Sequence, residues 1–73
     1  MPARRIQVGE VWKLEATGET YLVTKLYNEA LATFAVLRKT GAEEEPVLRV
    51  RLGDSGGAQI LPGFTPTQDF ENL

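Results

Sequence analysis

Apolar and polar residues alternate along most of this chain with the two-residue period of β-strands. In residues 8–15, VGEVWKLE, the residues Val8, Trp12 and Leu14 fall on one face, and Val11 and Lys13 on the other. ATGE (16–19) follows, with Gly18 free to take a positive φ in a turn. TYLVTKLY (20–27) is rich in β-branched and aromatic residues, which suit a pleated surface. Strict alternation there puts Leu22, Thr24 and Leu26 on one side and Tyr21, Val23, Lys25 and Tyr27 on the other. The two segments read as a hairpin. VLRVRL (47–52) is the most regular segment, with Leu48, Val50 and Leu52 opposite Val47, Arg49 and Arg51. A short strand, AQIL (58–61), comes last.

Residues 28–41, NEALATFAVLRKTG, admit two readings. Asn28 at the start, Arg38 and Lys39 in the last turn and Gly41 beyond it punctuate a helix. Positions 30–37, however, are apolar on every helical face except at Thr33, so such a helix would need burial all round. A chain of 73 residues cannot surround one. A strand over TFAVLRK is therefore favoured, with NEAL as the turn. The alternative is an α+β fold with residues 29–40 helical.

The expected fold is mainly β, a small five-stranded antiparallel barrel. Its domain spans residues 1–61. Residues 62–73 form a tail whose Phe64 and Phe70 pack it over the body, on Ala35 and Leu37 if Phe34 and Val36 turn inward. The same tail, with Leu73 and its acids, also has the composition of a short docking segment. GEVW (Gly9, Glu10, Val11, Trp12), after a basic lead-in, resembles the opening strand of PemK/MazF-type toxins, which are small SH3-like barrels that cleave RNA. That resemblance implies an SH3-like barrel. The next strand departs from the family: an Arg-Pro pair is usual there, and this chain has Thr20, Tyr21, Leu22 and Val23.

Composition narrows the chemistry. There is no histidine and no cysteine. The usual general base near neutral pH is missing, and so are the nitrogen and sulfur ligands of most zinc, iron and copper sites. No cofactor or metal is expected. A domain this small buries only about 60% of its unfolded surface, so most apolar residues are needed to hold it folded. Secreted domains of this size commonly carry disulfides, and their absence points to a reducing, cytoplasmic setting. No stretch is long and apolar enough to span a bilayer. Charge is unevenly spread: every Lys and Arg lies at or before Arg51, and beyond it stand Asp54, Asp69 and Glu71.

GDSGG (53–57) matches the nucleophile segment of chymotrypsin-like proteases. A serine hydroxyl needs a positioned base, and no histidine is present to serve. A lysine base (Lys13, Lys25 or Lys39) would need burial to lose its proton. The segment reads instead as a turn, with Asp54 and Ser55 capping it and Gly56 and Gly57 supplying left-handed backbone. Glu43, Glu44 and Glu45 read as a solvated loop rather than a site for a hard cation, and Trp12 as a core anchor.

The candidate site is a surface. Tyr21, Lys25 and Tyr27 share one strand face, and Arg49 and Arg51 share another. Aromatic rings beside cations suit single-stranded nucleic acid, since rings stack on bases and cations follow phosphates. The expected function is a non-enzymatic binding or regulatory module acting through an exposed sheet face or strand edge. Its partner is a protein or a second copy of the chain. A single-stranded RNA- or DNA-binding domain is the alternative, and a toxin-like ribonuclease a more distant one.

Overall fold

A computed structural model describes residues 5–42 and 44–67. Seven strands form, all in antiparallel pairs, and no helix occurs among the described residues. They are β1 (Val11–Leu14), β2 (Thr20–Glu29), β3 (Ala32–Lys39), β4 (Leu48–Arg51), β5 (Gly53–Ser55), β6 (Ala58–Ile60) and β7 (Phe64–Pro66). Five of them make a curled sheet in the order β4-β3-β2-β1-β7, and β5 and β6 form a separate two-stranded ribbon. The arrangement is consistent with a small SH3-like barrel. Within segment 28–41, Asn28 and Glu29 end β2, Ala30 and Leu31 make the turn and residues 32–39 are β3, so the helical alternative over 29–40 does not form.

The fifth strand of the main sheet is not AQIL. That segment pairs in the ribbon, Asp54 against Gln59, and the outer place beside β1 goes to Phe64–Pro66. Phe64, Thr65 and Pro66 carry no alternation long enough to read, because only three residues pair. Phe70 and Leu73 lie outside the described residues.

The core is built from one face of the sheet and from two segments beyond it. Trp12, Tyr21, Val23, Ala35, Leu37 and Phe64 are buried from the strands, and Ile6 and Leu61 from the connections. Leu14, Leu26, Val50 and Leu52 pack at its margin. Each large apolar side chain removed from water contributes roughly 1.5–3 kcal/mol. Trp12, 3% exposed, anchors this core as expected, and its indole N–H donates to Glu10 Oε1 at 3.0 Å.

Two expected facings are corrected, and the facing of β3 is decided. Val8 is 59% exposed rather than in the core. The chain turns before β1, with Gly9 at φ +100° and Glu10 N–H donating to Gln7 O, so Ile6 takes the buried place instead. In β2 the alternation breaks. Val23 pairs with Leu37 but Lys25 with Val36, which leaves Thr24 as the extra residue of a β-bulge. Tyr21 and Val23 face inward, and after the bulge it is Leu26 that meets the core. In β3, Ala35 and Leu37 are fully buried, so their neighbours Phe34 and Val36 face outward. Phe64 of the tail joins Ala35 and Leu37 in the same buried cluster, and Val23, Leu26, Leu48 and Val50 pair beside them within the sheet.

Candidate functional site

Register decides which side chains meet on the outer face. Residues directly opposite across an antiparallel pair share a face. Lys25 pairs with Val36, and Val36 with Arg49. Tyr27 pairs with Phe34, and Phe34 with Arg51. Two rows therefore cross β2, β3 and β4 side by side: Lys25-Val36-Arg49 and Tyr27-Phe34-Arg51.

At their centre the rings of Tyr27 and Phe34 stack, with centroids 5.6 Å apart and planes 18° apart. The Arg49 guanidinium lies over Phe34, 5.3 Å from its centroid, and Lys25 Nζ lies 5.9 Å from the centroid of Tyr27. Each is a cation–π contact, which holds a positive head against a ring instead of letting it swing free. Lys25, Arg49 and Arg51 are exposed, while Tyr27 and Phe34 are half-buried. The same face extends through Leu22 and Arg38 to Val11 and Lys13. Its strand residues thus include five bases (Lys13, Lys25, Arg38, Arg49, Arg51) and one acid, Glu29, at the hairpin end.

Four of the five residues expected to form the site come together: Lys25, Tyr27, Arg49 and Arg51. Tyr21 does not join them. It is 8% exposed in the core, edge-on to Phe64 with centroids 5.7 Å apart. The bulge at Thr24 separates it from Tyr27, because an extra residue reverses the facing of everything beyond it. The spacing of the apolar Val23 and Leu26, three residues rather than two, was the available signal of that break. Phe34 was missed. Alternation alone cannot say which face of an all-apolar strand is the inner one.

The hairpin joining β2 to β3 carries two further features. Ala30 has φ +56°, and Leu31 beside it is completely exposed. Behind the hairpin, on the side away from the stacked rings, a cleft of ≈ 280 Å³ opens, lined among others by Arg5, Leu26, Asn28, Thr33, Leu52 and Gln59. Tyr27 borders this cleft as well as the outer face.

Other candidate chemistry resolves into local structure. Gly53, Asp54 and Ser55 are β5, and Gly56 and Gly57, at φ +60° and +88°, make the two-residue turn into β6. Positive φ at both loop positions is the pattern of the tight turns that suit a right-twisted ribbon. The glycines alone make it: Asp54 and Ser55 are exposed in the strand and do not cap the turn by side-chain hydrogen bonds. Glu44 and Glu45 are exposed, and Lys39 pairs with Glu19 and lies 3.9 Å from Glu45. The hydrogen bond to Lys39 lowers the pKa of Glu19, and the same bond raises that of Lys39. Among the described residues no group of three or more acidic, His or Cys side chains is placed to hold a metal ion, and no helix is long and apolar enough to cross a membrane. No family model, curated protein or solved structure matches the chain.

Proposed function

We propose that this chain is a non-enzymatic, cytoplasmic binding module whose β2-β3-β4 face takes up single-stranded nucleic acid. The observation that carries this reading is the stacked Tyr27–Phe34 pair with Lys25, Arg49 and Arg51 arrayed around it. Rings half-open to solvent offer bases a stacking platform, and cations along the neighbouring strands offer the phosphates a track. The near-absence of acids on that face removes the repulsion that the overall charge of −2 would otherwise bring. Duplex is a poorer fit, because stacking on these rings needs bases already free of their partners.

The test is binding of fluorescent oligonucleotides across a salt series. Three phosphate contacts give a slope of log K against log salt near about −2 for a single strand. Affinity for single strands that falls in this way, with weaker duplex binding, is the expected result. No binding at low salt would remove the reading.

A second reading rests on a separate observation. β4 is an outer strand, and Val47 and Leu48 near it are 45% and 37% exposed. Such an edge can add a strand from a partner or from a second copy. Light scattering at rising concentration separates the two. A dimer abolished by Leu48→Lys, with no oligonucleotide binding, assigns the edge as the working surface.

A further inference from the structure

The cleft behind the β2–β3 hairpin has a one-sided hydrogen-bonding character. Asn28 Oδ1 accepts from the Thr33 hydroxyl at 2.7 Å. Gln59 Oε1 accepts from the Ile6 backbone N–H at 2.9 Å. Each amide is thereby oriented with its oxygen occupied, and its NH2 group has no hydrogen-bond partner among the described residues. Both residues line the same ≈ 280 Å³ cleft, together with Arg5, which is also a donor without acceptor capacity. Leu26 and Leu52 supply apolar walls. A small cleft with apolar walls and a few fixed polar groups is the form of a binding site for a flat organic group.

From this we infer that the cleft is a base-selective subsite for a pyrimidine carrying two carbonyls, uracil or thymine, turned in from the strand held on the outer face. The inference rests on the nucleic-acid reading above. Uracil presents carbonyl oxygens on either side of its ring N–H, and the two amide NH2 groups meet acceptors. Cytosine replaces one carbonyl with an amino group, and donor then faces donor. Tyr27 connects the two surfaces, since it belongs to the stacked pair outside and borders the cleft inside. A strand stacked on Tyr27 has only to fold its next base around the hairpin edge. The adjoining ≈ 200 Å³ hollow shares Thr33, Leu52 and Gln59 with the cleft and also holds Arg51 and Asp54 at its rim, one cation and one acid.

The test compares oligouridylate with oligocytidylate of roughly ten nucleotides, by fluorescence anisotropy at low salt. The full chain is used, with Asn28→Asp and Gln59→Glu as variants. Each substitution keeps the oxygen that accepts from Thr33 or from Ile6 and exchanges the NH2 group for a second oxygen. Thermal melting of both variants is expected to stay near that of the parent. The parent is expected to prefer uridine about tenfold, the discrimination a well-made pair of base contacts provides. In the variant whose side chain faces the 4-position of the base that ratio collapses or reverses, because the new oxygen accepts from the cytosine amine, and the other variant weakens both oligomers alike. Equal, salt-sensitive affinity for both oligomers overturns the subsite and leaves the outer-face reading standing. A uridine preference that survives unchanged in both variants also overturns it. Failure of either oligomer to bind removes the outer-face reading, and the subsite falls with it.

Discussion

Ala30 is the only non-glycine residue among those described with positive φ, +56°, and it is the first of the two residues that join β2 to β3. A Cβ is strained in that conformation, by roughly 1–2 kcal/mol. Ala30→Gly is therefore expected to stabilise the fold by about 1 kcal/mol, read as a higher urea midpoint. The two tyrosines separate at this same scale. Tyr21→Ala removes a buried ring packed on Phe64 and is expected to cost about 3–5 kcal/mol, enough to threaten folding. Tyr27→Ala empties half of a half-buried stack on the outer face and is expected to weaken oligonucleotide affinity about tenfold, with a folded melting curve. Glu19 and Lys39 give a pH dependence whose sign follows from their shifts. The lowered pKa of Glu19 makes its contribution present above the ordinary carboxylate value of 4.5 and lost as the pH falls through the lowered one. The raised pKa of Lys39 makes its contribution present below 10.5 and lost as the pH rises through the raised one. The pair is intact between these limits. Glu19→Gln is expected to lower the urea midpoint slightly at neutral pH, and the difference closes in acid once Glu19 is protonated.

Among the elements, β2 is the one whose pattern misleads. Its first half obeys alternation, with Tyr21 and Val23 inward. Its second half obeys the opposite phase, with Lys25 and Tyr27 outward and Leu26 at the core margin. Thr24 sits between them, exposed, and its hydroxyl donates to Val36 O at 3.1 Å. Deleting Thr24 is expected to regularise the ladder without changing which residues face out. The cost is about 1 kcal/mol from the lost hydrogen bond and reduced curl, with amide shifts confined to β2 and β3. Deleting Leu22 instead moves Tyr21 out of its buried place beside Phe64 and is expected to unfold the chain. The faces of β4 were legible because arginines alternate with Leu and Val. Those of β3 were not, since Phe34, Ala35, Val36 and Leu37 are all apolar and only the neighbouring strands decide which of them is covered.

For the molecule as a whole, the sheet sorts charge. The net charge is −2, yet the outer face brings five bases together with one acid. Association with an anionic strand is then a matter of local field rather than net charge. Arg51→Gln is expected to reduce the salt slope by about 0.7 and to weaken binding to all sequences alike, because its contact is with phosphate. The same substitution leaves stability nearly unchanged, as expected for an exposed side chain on an outer strand.

By itself the sequence determined the class of fold. Two-residue periodicity, and an apolar segment too uniform to be a lone helix in so short a chain, required strands. The lack of imidazole and thiol removed the usual bases and soft ligands. It also nominated Lys25, Tyr27, Arg49 and Arg51, because each stands opposite apolar neighbours within its own strand. Tertiary structure decided the rest. Pairing register set Phe34 at the centre of the outer face, and a single unpaired residue sent Tyr21 to the core. Asn28 and Gln59 share a cleft only because a hairpin and a separate ribbon, 31 positions apart in sequence, are folded against each other. Periodicity is a property of one strand, whereas a surface is made by several, and their mutual phase is set by contacts distant in sequence.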